Sequence, residues 1–410
     1  MAKKVLIIVE NLSVPTDVRV WKEACSLRDA GYEVIVLCPR RDSTRRHEFL
    51  QGVHIYRHPV AKEGNSSWGY MWEYSNAFCW EWLYAWWIYV RHGFHVIQGC
   101  NPPDDIVFVA LPFRPLGVRY IFDHHDANPE LYLSKYGRRD ILYRIQVWLE
   151  KMTLRHSDVV IATNNSYREL AMRRGRVRPE DIFVVRNGPA AGFTAAPANP
   201  ALKYGKPYLV GYVGVMNTQE GLDILLDVAL RIKNLGRQDV HFTCIGRGPE
   251  LRRLRRMTKE RKLEDTVTFT GYVPNSDLVE ILSTADVCVN PDKPCEMNSI
   301  STMNKIMEYM ALGKPIVQFE GREGRFSAQE ASLYSDGADP VSDFADKILW
   351  LLDHPEERSR MGEFGRRRVE NQLAWEHSVE NLLAAYERAF SKVRSNYVLH
   401  AIGPDADSNG

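Results

Sequence analysis

"NSISTMNKIMEYMALGKPIV" (residues 298–317) sits between two apolar runs, Asp286-Val287-Cys288-Val289-Asn290-Pro291 and Pro315-Ile316-Val317-Gln318-Phe319. The pattern predicts strand, short helix, strand. Ser301 and Thr302 stand where an N-cap hydroxyl belongs, and Gly313 where a left-handed C′ residue belongs. Met303, Ile306, Met307 and Met310 recur at i, i+3, i+4 and i+7, the packed stripe of an amphipathic helix. Ser301, Lys305 and Glu308 fall at i, i+4 and i+7 and line another side. A helix N-terminus presents N–H groups without intrahelical partners and about half a positive charge. A diphosphate placed there meets Lys305 one turn in. Glu308, a turn deeper, has the two oxygens that accept hydrogen bonds from a ribose diol. The same spacing also suits an ordinary capped helix with Lys305 and Glu308 as a solvated pair.

Outward from this stretch, apolar strands alternate with helical segments along the chain, the pattern of parallel sheets covered by helices. Strands are expected at 5–9, 34–37, 96–98, 120–122, 159–162 and 182–185, then at 208–213, 241–245, 267–269, 287–290 and 316–319. The stretch 188–200, rich in Gly, Pro and Ala, reads as a boundary between the two series. A length of 410 residues accommodates two domains. The predicted fold is α/β, with two doubly wound, Rossmann-like parallel-sheet domains facing a central cleft. The expected divisions are an N-terminal domain 1–190, a linker 191–206, a C-terminal domain 207–375, a helix 376–396 and a tail 397–410.

Composition excludes several classes. Hydrophobic residues make up 45% and charged residues 26%, as in soluble globular proteins. The net charge of +1 gives no global attraction to nucleic acid, and the basic runs at 173–178, 252–262 and 366–368 read as solvated helix faces. Seven scattered cysteines without C-x-x-C read as reduced, cytoplasmic thiols. The apolar run at 5–9 is too short for a signal peptide and reads as a first buried strand. No G-x-G-x-x-G follows it, which counts against a nicotinamide-dependent oxidoreductase. D-x-D occurs only at Asp405-Ala406-Asp407, and no spacing suggests a metal site.

Residues 68–90 contain Trp68, Trp72, Trp80, Trp82, Trp86 and Trp87. The uncharged run 82–90 is too short to span a bilayer. Two readings stay open: a helix lying at the membrane surface, or a thick core helix or dimer face. Asp123-His124-His125-Asp126 follows a strand, where open α/β sheets place ligand groups. A pair of structural histidines is the other reading.

Several segments in order resemble family 4 retaining glycosyltransferases of the GT-B fold, in the bacterial polysaccharide branch. They are "RVWKEACSLRDAGYEVIVLC" (19–38), "FHVIQGCNPPD" (94–104), "YIFDHHDANPELYLSKYG" (120–137), "GYVGVMNTQEGLDILLDVA" (211–229), "IGRGPELRRL" (245–254), "FTGYVPNSDLVEILSTADVCVNP" (269–291) and "NKIMEYMALGKPIV" (304–317). The resemblance implies an acceptor-binding N-terminal domain, a donor-binding C-terminal domain and a helix at 376–396 that returns to brace the former. It implies His125, with Asp126 and Lys305, as catalytic groups, and His124 and Glu130 on the acceptor side. The implied donor site comprises Gly214, Asn217, Gly246, Tyr272, Val273, Ser301, Thr302, Met303, Asn304 and Glu308. The expected reaction is retaining transfer from a nucleotide-diphosphate sugar to a lipid-linked or oligosaccharide acceptor, with no cofactor, metal or nucleic acid. The expected location is cytoplasmic, peripheral on the inner face of the membrane. Two departures stand out. Ile300 occupies the position of the family's first signature Glu, with Glu296 four residues earlier, and Glu220 occupies that of a phosphate-binding Lys. They keep open a 2-epimerase-like enzyme or a weakened partner protein, and leave Lys305, with Arg322 or Arg325, to balance phosphate charge.

Overall fold

Val5 to Val9 form an unbroken apolar run, as a strand covered on both faces requires. In the computed structural model they belong to the first of eight strands: β1 (Lys4–Val9), β2 (Glu33–Pro39), β3 (His47–Leu50), β4 (Val53–His58), β5 (Val96–Cys100), β6 (Arg119–His124), β7 (Val159–Ala162) and β8 (Ile182–Val184). The structure describes residues 3–41, 44–60, 67–190, 192–336 and 338–401, with backbone alone at 67–74 and 393–401. Side by side the strands run β3-β4-β2-β1-β5-β6-β7-β8. All neighbours are parallel except β3 and β4, a hairpin whose turn residues Gln51 and Gly52 both have positive φ. The order reverses between β1 and β5, which opens a crevice at their carboxyl ends.

A second sheet holds β9 (Tyr208–Val213), β10 (Val240–Ile245), β11 (Val267–Gly271), β12 (Val287–Asn290), β13 (Ile316–Phe319) and β14 (Ser332–Ser335). Its order is β11-β10-β9-β12-β13-β14, all parallel, with the reversal between β9 and β12. Helices Leu222–Asn234 and Pro340–Asp353 cover one face with Leu225, Leu226, Phe344 and Ile348. Helix Asn304–Ala311 covers the other with Ile306, Met307 and Met310. Burying those three side chains stabilises the unit by roughly 5–8 kcal/mol, which holds the helix on the sheet.

The chain divides into two units. One contains Met1–Pro129, Arg138–Val185 and Val379–Gly410, and the other Glu130–Gly137 and Arg186–Ser378. They are called the N-terminal and C-terminal units below. The helix expected at 376–396 runs Trp375–Ala401. Within the N-terminal unit its Tyr386 hydroxyl bonds Gln98 Oε1, its Asn381 amide donates to the Val184 carbonyl at 2.9 Å, and Arg388 and Lys392 each reach Asp181 at 2.8 Å. The tail expected from 397 is helical as far as Ala401, and residues 402–410 lie outside the described residues.

Three strands were not expected from the sequence: β3, β4 and β14. β3 is a solvated edge strand with alternating exposure, and β14 is a short polar edge. The aromatic segment is part of helix Ser67–His92. Trp86 stacks on Phe113 at 4.3 Å and Trp87 meets the Tyr56 ring edge-on at 5.2 Å, while Trp82, Leu83, Trp87 and Val90 are exposed. The side chains of Trp68 and Trp72 lie outside the described residues. Among the described residues, no helix is long and apolar enough to cross a membrane.

Candidate active site

At the reversal in the second sheet, the loops after β9 and β12 lie against each other. Lys293 N donates to the Gln219 carbonyl at 2.9 Å, and Asn298 Nδ2 to the same oxygen at 3.2 Å. The signature helix begins later than its sequence suggests. A separate short helix, Glu296–Ile300, comes first, and Ser301 closes it. Met303 takes the N-cap position of Asn304–Ala311 without a side-chain bond, so Ser301 and Thr302 do not cap that helix. Thr302 Oγ1 instead accepts from Arg186 at 3.5 Å.

Lys305 is therefore the second helical residue, not one turn in. Its ammonium donates to Glu220 Oε2 at 2.6 Å and Asp292 Oδ1 at 2.9 Å, and sits 4.9 Å from the centre of the Tyr212 ring. The Tyr212 hydroxyl donates to the same Glu220 oxygen at 2.9 Å. Burial works against the Lys305 charge, but the two carboxylates outweigh it and raise its pKa. One cation is shared by two carboxylates, so burial pushes Asp292 up to about 7 against the pull of Lys305, with the Glu220 charge adding to the rise. The expected free phosphate clamp is thus a buried ion cluster. Sequence spacing missed this because Glu220 and Asp292 come from other loops. Arg325 is likewise engaged, with Glu320 at 2.7 Å. The stretch 320–328 carries helix Arg322–Ala328, whose buried Glu323 pairs with Arg186 at 3.2 Å.

Beside this cluster is a cavity of about 250 Å³, lined by residues including Asn290, Asp292, Ser301, Met303, Gln318 and Gly324. Asn290 Oδ1, Asp292 Oδ2 and Gln318 Nε2 are buried and have no hydrogen-bond partner among the described protein atoms. Leaving such an atom unpaired costs about 1–3 kcal/mol, so the wall is chemically demanding. Asn290 and Gln318 sit at the ends of β12 and β13, yet they read as strand interior in the sequence and were missed.

The glycines of the loops after β9 and β10 serve packing. A Cβ on Gly246, which has φ +133°, would fall 1.9 Å from the Gly214 carbonyl oxygen; one on Gly214 would fall 2.5 Å from the Tyr212 hydroxyl. Their smallness lets the loops after β9 and β10 meet, a different role from the expected approach to a ligand. Asn217 precedes the turn Thr218–Glu220 and is partly exposed, as is Glu308 on its helix, and Asn304 is exposed. Tyr272 is 70% exposed with the Arg247 guanidinium 5.4 Å from its ring centre, and Val273 packs into the core.

In the N-terminal unit the loop after β6 holds His125, 15% exposed. Its Nε2 lies 2.6 Å from Asp123 Oδ2 and 3.0 Å from Arg19 Nε. One ring nitrogen cannot both donate and accept. The shorter contact to a carboxylate requires a proton, so Nε2 is assigned as donor to Asp123. Burial opposes the imidazolium, but the Asp123 charge and bond outweigh it and raise the pKa of His125. Arg19 also reaches Asp123 Oδ1 at 2.9 Å, Glu23 at 3.1 Å and the Val185 carbonyl at 2.9 Å. Burial tends to raise Asp123, but the charges of Arg19 and His125 hold its pKa below the usual carboxylate range. Gln98 donates to Glu23 at 2.7 Å and Asp123 at 3.0 Å. Asn101 Oδ1 accepts from the His125 and Asp126 amides at 2.6 and 3.2 Å and fixes the loop.

Three expected roles change here. The carboxylate on His125 is Asp123, since Asp126 is held through its backbone by Asn101. His124 is fully buried, stacks on Phe122 and Tyr167, and has a pKa pushed down to about 3, first by burial and then by the Arg174 charge; it cannot reach an acceptor. Glu130, expected with the N-terminal unit, is buried and groups with the C-terminal unit. Among the described residues, Cys100, Asp123 and His125 bring potential metal ligands within 4.8 Å. Arg19 already places a cation on Asp123 and His125, so this donor set does not fit a metal ion.

Residues 16–188 match the family described as Glycosyl transferase 4-like domain, and residues 207–354 match Glycosyl transferases group 1. Alpha-D-kanosaminyltransferase of Streptomyces kanamyceticus is 25% identical over 290 residues, 66% of this chain and 71% of the relative. A putative colanic acid biosynthesis glycosyltransferase, WcaL of Escherichia coli (strain K12), is 26% identical over 208 residues, 50% of this chain and 46% of the relative. Sucrose-phosphate synthase from Thermosynechococcus elongatus superposes with a TM-score of 0.77 at 19% identity, covering 95% of this chain and 99% of that one. Anabaena HepE in complex with UDP gives a TM-score of 0.68 at 13% identity, covering 94% and 99%. With both units matched and both sheets doubly wound, the chain belongs to the family 4-like glycosyltransferases of the GT-B fold.

Proposed function

We propose that the protein transfers a sugar from a nucleotide-diphosphate donor to a glycan acceptor, lipid-linked, in cell-surface polysaccharide synthesis, with retention of configuration and without a metal or cofactor. The observation that carries this reading is the cavity with the unpartnered polar atoms of Asn290, Asp292 and Gln318. Sugar hydroxyls, each both donor and acceptor, complement such a wall. The diphosphate lies at the start of helix Asn304–Ala311, where first-turn N–H groups meet the charge that develops on the leaving phosphate. Lys305 holds Glu220 and Asp292 in place and limits their repulsion of the phosphates. Tyr272 and Arg247 offer a stacking surface for the base, and HepE is a structural neighbour solved with UDP.

In the reaction, the bond from the anomeric carbon to the diphosphate oxygen breaks. The acceptor hydroxyl oxygen bonds to that carbon, and its proton leaves with the nucleotide diphosphate. His125, held by Asp123, contacts sugar or acceptor hydroxyls. The acceptor reading draws on the sequence resemblance and on the WcaL relative. The exposed Trp82, Leu83 and Trp87 of helix Ser67–His92 supply a membrane contact near a lipid-linked acceptor, on the inner face of the cytoplasmic membrane.

A thermal-shift screen over UDP, GDP, ADP and their sugars tests donor binding, since a matching nucleotide stabilises by mass action. One nucleotide class should raise Tm, and that nucleotide sugar with an acceptor glycan should give a product of unchanged anomeric configuration in the presence of EDTA. No stabilisation by any nucleotide removes the reading. Binding without transfer supports the second reading, a weakened partner protein, which Ile300 at the signature Glu position and the exposed Glu296 favour.

A further inference from the structure

We propose that the transferred sugar is an N-acetylhexosamine, its acetamido group held by the side-chain amides of Asn290 and Gln318. The inference rests on the donor reading above and names the class of sugar that the cavity takes. Cys288 and Ile316 pack on the side of the second sheet covered by helix Asn304–Ala311, and Val287, Val289 and Val317 pack on the other. Side chains alternate between faces along a strand. Asn290 and Gln318, each two residues further on, therefore belong to the helix side, and they are register partners across β12 and β13. Two primary amides stand there side by side, both buried, where packing alone calls for apolar residues. Room for the Gln318 Oε1 end is left by Gly324, since a Cβ there would fall 2.6 Å from it.

What these amides leave unmet defines the ligand. Asn290 Oδ1 calls for a donor and Gln318 Nε2 for an acceptor. A secondary amide supplies one of each, its N–H and its C=O. A hydroxyl can also serve both atoms, so the rest of the wall decides. Met303 and Ile306 line the same cavity from the helix side. A methyl group gains by leaving water against those side chains, whereas a hydroxyl there gives up its water without a partner. An acetamido group carries all three parts: donor, acceptor and methyl. A charged substituent is not matched. Among the described lining residues, Lys293 already pairs with Asp223 at 2.8 Å and Glu320 with Arg325 at 2.7 Å. A uronate carboxylate therefore meets no spare lysine on the wall, and Lys305 beside it is committed to Glu220 and Asp292. Asp292 Oδ2, the other unpartnered oxygen, accepts from a ring hydroxyl.

The test is calorimetric titration of the full chain with UDP-N-acetylglucosamine, UDP-N-acetylgalactosamine, UDP-glucose, UDP-galactose, UDP-glucosamine and UDP alone. At least one N-acetylhexosamine donor should bind about tenfold or more tighter than the hexose donor of the same configuration, because the hexose leaves buried polar atoms unpaired. Gln318→Met and Asn290→Leu should each remove most of that ratio while UDP alone binds as before. Circular dichroism melting checks the fold of both variants, and the wild-type ratio decides if either is destabilised. Hexose donors that bind as well as their N-acetylated counterparts, tightest binding of UDP-glucosamine, or a ratio kept by both folded variants overturns the proposal. In each of those cases UDP binding leaves the donor reading standing, so the acetamido assignment falls alone. Binding of GDP or ADP but of no uridine nucleotide has the same consequence. No binding of any nucleotide removes both.

Discussion

The Arg19–Glu23–Asp123–His125 cluster and the Lys305–Glu220–Asp292 cluster both lie at carboxyl ends of parallel strands beside a reversal of strand order. They balance charge in opposite ways. In the first, Arg19 and His125, whose pKa is raised by the Asp123 charge and bond against burial, face Asp123, while burial and then the Asp123 charge push Glu23 up to about 8, so that it stays largely neutral. Here one ionised carboxylate serves two basic side chains, and His125 reaches solvent. In the second, one ammonium serves two carboxylates and is nearly sealed. A cation with charge to spare can act on a ligand. One already committed to two buried acids acts mainly on the fold.

The sharpest break of that contrast is His125→Ala. If His125 is the working tip, turnover should fall about 10²–10⁴-fold, with nucleotide affinity near wild type in calorimetry. His124→Ala should lower stability without that selective loss of turnover. A turnover defect confined to His124→Ala would reverse the assignment.

Lys305→Ala strips two buried carboxylates of their cation and should cost roughly 3–5 kcal/mol in denaturant unfolding. Pairing it with Glu220→Gln should recover part of the loss, because the residues are in contact. A stable Lys305→Ala protein that loses only nucleotide affinity would make Lys305 a ligand group after all.

The N-terminal cluster also sets a pH dependence. Glu23, pushed up to about 8, and Asp104, raised chiefly by burial to about 7, hold protons that the unfolded chain releases near its ordinary carboxylate pKa. Between about pH 5 and 8 the folded state binds more protons, so stability falls as pH rises. His125 acts in the same direction: its contribution is full below about pH 6.5 and is lost as pH rises through its elevated pKa. Asp123, held low, acts the other way, its contribution being lost only in strong acid. Tm should therefore drop from mildly acidic to alkaline pH, and Glu23→Gln should flatten the dependence of stability on pH by up to about 1.4 kcal/mol per pH unit. An unchanged slope would mean that Glu23 ionises normally.

The smallest effect is expected at the cavity wall. Asn290→Ala and Gln318→Ala should each weaken nucleotide-sugar binding by about 1–2 kcal/mol while leaving the bare nucleotide unaffected. Equal losses for both ligands would place the sugar elsewhere.

Sequence periodicity located most of the strands, because a strand buried on both faces needs an unbroken apolar run that is visible locally. β3 and β14 escaped because edge strands are short and half-polar. The site was legible only in part. His125 and Lys305 stood out, but the charged side chains that hold them did not. Asp123 is two residues from His125, whereas Arg19 lies 106 residues away, and Glu220 lies 85 from Lys305.

By itself, then, the order of apolar and helical segments determined that this chain builds two parallel α/β units, because burial pattern is a property of neighbouring residues. Which charges neutralise one another was decided only in three dimensions. Strand reversal brings together loops far apart in the chain, and electrostatic pairing depends on distance in space.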